Sequence, residues 1–221
     1  MSSLKWSPAR APARQPIKGE TVRLEPLDPR RHGDELYDAS LGADESWFYL
    51  PYGPFANRPE FSNWLSRHAA TPDPMAFAII DRSTGTARGI ATLMSIVPEH
   101  GVIEIGHIWL SPALQRTRQA TEAIYLMARY AFDELGNRRL EWKCDAANAA
   151  SRRAAERFGF KFEGVFRNHR VVKHRNRDTA WYSITDTEWP PRRRAFEAWL
   201  SPDNFDSEGR QMRSLAELRT E

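Results

Sequence analysis

The feature that most constrains this chain is a long amphipathic helix pattern lying directly between two strand patterns. Residues 119–135 repeat apolar side chains at helical spacing, and Gly136 follows where a helix would end. The apolar segment HGVIEIGHIWLSP precedes this pattern, and the strand pattern RRLEWKCD follows it. This succession predicts a helix packed on a sheet, as in a mixed α/β domain.

Further strand and helix patterns extend this unit in both directions. Upstream lie a strand in ETVRLEPL, a helix capped by Asp28, a helix over residues 58–69 and two strands around the turn STGTAR. Downstream, a short helix in NAASRRAAERFGF is followed by two strands around a basic turn. The predicted order is β-α-α-β-β-β-α-β-α-β-β, in one domain over residues 19–189. Residues 1–18, rich in Pro, Ala and Arg, are predicted to form a flexible arm, and residues 190–221 a charged, helical extension.

Composition excludes several classes of protein. The chain is 41% hydrophobic and 28% charged, which is ordinary for a globular protein. We attribute the modest net charge of +3 to a high arginine content rather than to an acidic partner. The single cysteine, Cys144, excludes an internal disulfide framework, and no residues have the spacing of metal ligands. Since no long apolar run is present, neither a membrane span nor a signal-peptide core is predicted, and a cytoplasmic location is expected.

The turn before the central helix, LSPALQRTRQATEA, places two arginines where the helix begins. The start of a helix gathers unpaired backbone N–H groups and the positive end of the helix dipole. Arg116 and Arg118 add positive charge at this unfavourable place, and a bound anion would remove the electrostatic cost. The sequence therefore predicts an anion site at this turn, held mainly by backbone donors.

The element order, together with QRTRQATEA, NAAS and RFGFKFEG, resembles the GCN5-related N-acetyltransferase (GNAT) superfamily. Within it, KGETVRLEPLDP is similar to the opening strand of the ribosomal-protein N-terminal acetyltransferases, the RimJ/RimL-like branch. The resemblance covers roughly residues 18–188. It implies a mixed α/β (α+β) fold, with a mostly antiparallel central sheet flanked by helices. It also implies that the fourth and fifth strands splay apart, with the thioester of acetyl-CoA in the gap.

The resemblance further implies which residues bind acetyl-CoA. The family turn Q/R-x-x-G-x-G/A, which cradles the pyrophosphate, is matched at Gln115 and Ala120, but Arg118 stands where glycine is usual. Any residue except proline supplies the backbone donor, and Arg116 or Arg118 could add a direct phosphate contact. A backbone N–H near Ile108 or Trp109 would stabilise the developing oxyanion. The expected cofactor-binding residues are Ile108, Trp109, Leu110, Gln115, Arg116, Thr117, Arg118, Gln119, Ala120, Thr121 and Asn148.

Three residues are candidates for the proton transfers. Glu104 interrupts an apolar strand, where alternation places it on one face with Ile108 and Leu110, and it could act as general base. His107, expected on the opposite face, is a second candidate base. Ser151 is the candidate acid, because Ala155 occupies the position of the tyrosine that many family members use. The alternatives remain open: Glu104 in a structural ion pair, His107 packed in the interior, and Asn148 and Ser151 as ordinary residues of a helix start.

The amine acceptor is expected beneath the aromatic loop WFYLPYGPF and the late basic hairpin. The candidate pocket residues are Trp47, Tyr49, Tyr52 and His107, and the alternative is that these aromatics fill the core. The expected function is direct acetyl transfer from acetyl-CoA to a primary amine, either a protein N-terminus or a small molecule. The rival hypothesis is a CoA-binding sensor or scaffold without turnover. RNA binding by the arm and the hairpin is disfavoured because aromatic residues are not interleaved there. The C-terminal extension is a candidate surface for a homodimer.

Overall fold

A computed structural model describes residues 5–220 of the chain. Its strands are β1 (Ile17–Lys18), β2 (Val22–Pro26), β3 (Met75–Asp81), β4 (Ala87–Val97), β5 (Val102–Leu110), β6 (Arg139–Asp145), β7 (Lys161–Val172) and β8 (Arg175–Thr185). Its helices are α1 (Pro29–Ser40), α2 (Arg58–Ala70), α3 (Arg118–Arg129), α4 (Ala149–Arg157), α5 (Trp189–Leu200) and α6 (Leu215–Leu218). None of these helices is long and apolar enough to cross a bilayer.

The strands form one sheet in the order β1-β2-β3-β4-β5-β6-β8-β7, and every neighbouring pair is antiparallel except β5 and β6. The parallel pair is joined in register only from Val102–Arg139 to Glu104–Glu141. Beyond Glu104 the two strands are no longer paired, so a gap opens toward their carboxyl ends. The predicted splay of the fourth and fifth strands is therefore confirmed, and these are β5 and β6 because the short strand β1 adds one at the front.

Local sequence signals explain where the first helices begin. Asp28 precedes Pro29, and its carboxylate accepts the N–H of Arg30 at 2.9 Å, which satisfies one unpaired donor of α1. In α2, the side-chain oxygen of Asn57 accepts the N–H of Glu60 at 3.0 Å. These caps place both helices where the sequence predicts them.

The central helix departs from the regular pattern at its end. After Arg129 it continues as one wider π-helical turn over Tyr130–Glu134, in which the N–H of Leu135 donates to the carbonyl of Tyr130 at 3.0 Å. Gly136 then adopts a φ of +75° and ends the helix, as the sequence predicts.

The sheet separates two apolar cores. Along β3, Phe77 and Ile79 face the core beneath α3, α4 and α5, whereas Ala78 and Ile80 face the core beneath α1 and α2. This alternation shows that both faces of the strand are covered, which explains why its sequence is continuously apolar. Each face of the gap between β5 and β6 therefore opens toward a different set of helices.

The N-terminal arm follows the domain more closely than predicted. Residues 1–4 of the predicted flexible arm lie outside the described residues. The N–H of Ala9 donates to the carbonyl of Pro98 at 3.0 Å, and that of Arg10 to Leu135 at 2.8 Å. Ile17 is buried and pairs with β2, so the sheet begins two residues before the predicted domain boundary at residue 19.

The C-terminal extension is helical only in part, and it belongs to the core of the domain. Its first helix, α5, contacts α3, and the Tyr125 hydroxyl donates to Glu197 at 3.0 Å. The apolar side chains it buries are Ala195, Phe196, Trp199 and Leu215. These residues are committed to the chain's own interior, which leaves only the outer side of the extension for the predicted dimer contact.

Candidate active site

The turn before α3 presents free backbone donors. Thr117 caps the helix, since its hydroxyl oxygen accepts the N–H of Ala120 at 3.1 Å and its proton goes to the Leu114 carbonyl at 2.7 Å. Within residues 5–220, the N–H groups of residues 116–119 have no protein acceptor. An anion of phosphate size fits this arrangement, because successive unpaired N–H groups at a helix start bind phosphates.

The side chains of this turn are not all aimed at that anion. Gln115 donates its amide to the Leu110 carbonyl at 3.0 Å and so ties the turn to the end of β5. Thr121 is buried, and its hydroxyl accepts a hydrogen bond from Arg157 at 3.0 Å. Gln115 and Thr121 were both expected to bind cofactor, but their side chains are held by other parts of the protein.

Arg118 turns toward the C-terminal extension. Its guanidinium donates to the carbonyl of Leu200 and lies over the ring of Phe205, 4.8 Å from the centroid. The guanidinium is therefore directed away from the turn, and the backbone N–H of Arg118 is the group that this residue offers to an anion there. Arg116 is exposed at a φ of +61° and remains the candidate for a direct phosphate contact.

A β-bulge interrupts β5 at the open part of the gap. Gly106 pairs with Thr92 and Trp109 with Ile90, so two residues of β5 lie opposite one residue of β4. His107 takes up the extra residue with a φ of +47°. Because a bulge removes backbone groups from the regular ladder, the N–H groups of residues 107–108 are the local candidates for the predicted oxyanion donor.

The bulge also reverses which side chains share a face, and the predicted alternation is wrong beyond Gly106. Ile108 and Leu110 pack with the core under α3, on the opposite side from Glu104. His107 instead faces Tyr52 and the core of α1 and α2, on the same side as Glu104. An extra residue shifts a two-residue period by one, so every later side chain changes face. Both candidate bases therefore line the same side of the gap.

Glu104 is buried and held by two donors. Its Oε2 accepts the Ser95 hydroxyl at 3.0 Å and the Lys143 ammonium at 2.8 Å, and Lys143 also binds Glu141 at 2.7 Å. The structural ion pair left open by the sequence is therefore present. Its other oxygen, Oε1, would lie 3.3 Å from a side chain placed at Gly106, so it faces the bulge. Glu104 thus keeps one oxygen directed along β5 toward the open gap.

His107 belongs to a cluster of neutral rings. Its Nδ1 lies 2.9 Å from the Tyr52 hydroxyl, and its ring lies 5.6 Å from that of His68. Burial, with the charges of Arg177 and Arg170, lowers the pKa of His107 to about 4. At neutral pH His107 is therefore an uncharged imidazole, and it accepts or donates hydrogen bonds without carrying charge.

The aromatic loop contributes unequally to the pocket. Trp47 is 1% exposed and stacks on Trp109 at 4.6 Å, so both indoles fill the core and the expected role of Trp47 in the pocket is wrong. Trp109 accordingly offers only its backbone to a cofactor. Tyr52 lines the gap beside His107, and the Tyr49 hydroxyl donates to the Ala147 carbonyl at 3.1 Å, next to α4. The loop therefore bridges the two sides of the opening.

The late hairpin closes over this loop. Lys173 donates to the carbonyl of Trp47 at 2.9 Å, and the Arg175 guanidinium lies 3.9 Å from the ring centroid of Phe48. Loop and hairpin meet above the open gap, on the side that the acceptor was predicted to enter.

The start of α4 lies on the other side of the gap. Asn148 caps the helix through the N–H of Ser151 at 3.0 Å, which leaves its amide N–H₂ without a partner among the described residues. The hydroxyl oxygen of Ser151 accepts the Trp142 indole at 3.0 Å, and the same hydroxyl is within hydrogen-bonding range of the Cys144 sulfur. Ser151 also neighbours Cys144, whose thiol pKa is raised by burial. A protonated, buried thiol is a poor nucleophile, so Cys144 is unsuited to form an acyl-enzyme.

Sequence reasoning missed several residues that line the gap. Lys143 and Trp181 are opposite each other on β6 and β8, with the ammonium 4.2 Å from the indole centroid. Arg177 lies four residues before Trp181 on the same face of β8 and is partly buried. The alternation in RNRDTAWYS is the sequence signal that assigns Arg177 and Trp181 to one face of this strand. Among residues 5–220, no cluster of three His, Cys, Asp or Glu side chains could hold a metal ion.

Comparison with known proteins agrees with this geometry. The family described as the acetyltransferase (GNAT) domain matches residues 21–161. A GCN5-related N-acetyltransferase from Brucella melitensis is 50% identical, with a TM-score of 0.96 over 98% of this chain and 99% of its own. A protein from Chromobacterium violaceum, described as a probable acetyltransferase of the GNAT family, is 46% identical, with a TM-score of 0.81 over 86% of this chain and 96% of its own.

A curated relative supports the predicted branch. YdaF of Bacillus subtilis, named as a candidate ribosomal N-acetyltransferase, is 30% identical over 174 residues, which cover 76% of this chain and 92% of YdaF. This similarity agrees with the resemblance to the RimJ/RimL-like branch. The chain therefore belongs to the GNAT acetyltransferase family and is an acyltransferase that uses acetyl-CoA as its acetyl donor.

Proposed function

We propose that this enzyme transfers the acetyl group directly to a primary amine that enters the gap between β5 and β6. The observation that carries the proposal is the end of strand pairing at Glu104, followed by the β-bulge at residues 107–108. Acetyl-CoA, when bound, supplies an activated thioester. The free N–H groups of residues 116–119 would hold its phosphates, and those of residues 107–108 would stabilise negative charge on the carbonyl oxygen.

Glu104 is the proposed general base. Its Oε1 would take a proton from the ammonium, directly or through one water, while Lys143 and Ser95 hold its other oxygen in place. The amine nitrogen would then form a bond to the carbonyl carbon and give up a second proton, and the carbon–sulfur bond would break. His107 is neutral and shares the same side of the gap, so it can orient the amine by a hydrogen bond.

Ser151 is the proposed donor to the leaving thiolate. Its oxygen is already an acceptor for Trp142, which aims the hydroxyl proton elsewhere. In a proton relay, Ser151 would give its hydroxyl proton to the sulfur and regain the second proton that the nitrogen loses as the amide forms, so that the reaction releases only the proton taken by Glu104. Asn148, at the start of the same helix, would bind the pantetheine arm through its free amide.

The name of YdaF supports a protein N-terminus as the acceptor, whereas a small amine is the alternative within the same reaction. A panel of N-terminal peptides and small amines, followed by release of free CoA and by mass spectrometry of the acetylated product, tests the proposal. Acetylation of at least one amine is expected. Tight CoA binding without transfer to any amine would favour the sensor or scaffold hypothesis.

Two variants test the proton transfers. Glu104→Gln should lower kcat by about 100-fold or more, the usual contribution of a positioned general base. Glu99→Gln, an exposed residue just before β5, is the matched control and should retain full activity. Ser151→Ala should lower kcat with little change in the KM for acetyl-CoA. Full activity of Glu104→Gln at every pH would show that another group removes the proton.

A further inference from the structure

Two arginines at the open end of the gap have no carboxylate within ion-pair distance among the described residues. Arg170 of β7 and Arg177 of β8 are direct partners across the hairpin. Among residues 5–220, neither forms an ion pair with a carboxylate. The Arg177 Nε is buried without a hydrogen-bond acceptor in the described chain. Holding two like charges side by side, one of them desolvated, is costly unless an anion joins them.

Both arginines lie on the acceptor side of the gap. Their positive charge lowers the pKa of His107, and Arg177 also interacts electrostatically with Glu104 and with Asp145 at the end of β6. The charged groups near Arg177 lie on β5, β6 and β7, and none of them belongs to the turn before α3. The pair is therefore separate from the cradle predicted for the phosphates.

A second unpartnered donor lies on the same side of the gap. The indole N–H of Trp181 is buried and has no acceptor within the described residues. Trp181 follows Arg177 on the same face of β8, and its ring contacts Lys143. His68 Nε2, in the ring cluster of His107, is likewise buried without a partner in this part of the chain. Unsatisfied buried donors cost free energy, so a ligand with acceptor oxygens would stabilise this pocket.

We propose that the amine acceptor carries a carboxylate, which Arg177 and Arg170 bind while its amino group lies near Glu104 and the bulge. This inference rests on the proposed acetyl transfer and names the class of its acceptor. A carboxylate offers only acceptor oxygens, so it satisfies the guanidinium donors and the Trp181 indole together. A polycation would instead be repelled by the uncompensated arginines.

The carboxylate could come from either of two parts of an acceptor. It is the α-carboxylate if the substrate is a free amino acid, and a side-chain carboxylate if the substrate is a peptide with an acidic first residue. The experiment compares free glutamate with glutamine amide, and the peptide amide Glu-Ala-Ala-Ala with Gln-Ala-Ala-Ala. Each is measured for acetylation at fixed acetyl-CoA, and for binding to the full-length enzyme saturated with CoA.

In the wild type, at least one acid should exceed its neutral counterpart in kcat/KM by about 30-fold or more, as expected for a buried charge pair. In Arg177→Gln this ratio should fall toward one, while the affinity for CoA is unchanged. Arg167→Gln, an exposed residue on β7, removes the same charge and should keep the wild-type ratio. Thermal unfolding checks that Arg177→Gln is folded, and removal of an unpaired buried charge should not destabilise it.

Failure of this inference is distinguishable from failure of the proposed function. If amines are acetylated but acids and amides react equally, the carboxylate site is wrong and acetyl transfer stands. If no amine is acetylated, yet an acid binds the CoA complex in an Arg177-dependent way, the site stands and the proposed function is wrong. If the acids neither react nor bind better than the amides, the inference is overturned.

Discussion

Replacing Arg118 by alanine should destabilise the fold by about 1 kcal/mol and leave the affinity for CoA nearly unchanged. The guanidinium hydrogen bond to the Leu200 carbonyl contributes about 1.5–3 kcal/mol, because the donor is charged. Its contact with the Phe205 ring adds about 0.5–1 kcal/mol. Against this, the Nε of Arg118 is buried without an acceptor in the described chain, which costs about 1–3 kcal/mol that the truncation recovers.

Urea unfolding of the two proteins measures the first effect, and calorimetric titration of CoA at low and high salt measures the second. Arg116→Ala is the matched control, since Arg116 is exposed in the same turn. Arginine and alanine both carry a Cβ, so the substitution does not change the backbone strain at the positive φ of position 116. We expect Arg116→Ala to change stability by less than about 0.5 kcal/mol. A salt-dependent loss of CoA affinity in Arg118→Ala, with stability unchanged, would show that this guanidinium leaves Leu200 to bind phosphate.

Two further predictions concern stability. Burial lowers the pKa of His68 to about 4. Between pH 4 and 6.5 the folded protein therefore binds fewer protons than the unfolded chain. The stability of the fold should rise with pH across this window and then level off. The shift corresponds to about 3 kcal/mol for one histidine, and urea unfolding at several pH values should give a shallower slope for His68→Gln than for the wild type. Glu122 is buried and accepts the N–H groups of Glu20, Thr21 and Val22 at 2.6–3.0 Å, so Glu122→Gln should lower the free energy of unfolding by at least about 2 kcal/mol. The exposed Glu134→Gln should leave that free energy unchanged, and an equal midpoint for both variants would contradict the role of Glu122.

Local signals in the sequence predict much of the architecture because they act over short distances. The cap at Asp28, the stop at Gly136 and the apolar run of β3 each depend on residues close to one another in the sequence. Periodicity also places α3 between β5 and β6, from which the parallel pair follows. The family resemblance adds the splay of these two strands, which the early end of pairing at Glu104 confirms.

The faces of the candidate site could not be predicted in the same way. One extra residue at His107 moves Ile108 and Leu110 to the other face, and a strict two-residue period contains no sign of it. Arg118 likewise reads as a phosphate ligand from its neighbours in sequence. Its partners, Leu200 and Phe205, are more than 80 residues away along the chain. The packing of α5 against α3 brings Leu200 and Phe205 next to Arg118.

By itself, the sequence determined the order of elements, the family to which the chain belongs, its donor acetyl-CoA and the helix start whose first N–H groups have no acceptor among the described residues. These depend on local backbone and side-chain chemistry, which a linear pattern records. The tertiary structure decided which side chains meet in the gap: it paired Glu104 with Lys143, buried Trp47 in the core and placed Arg170 opposite Arg177. Such contacts join strands and loops that are distant in sequence, and their energies depend on burial, which exists only once the chain has folded.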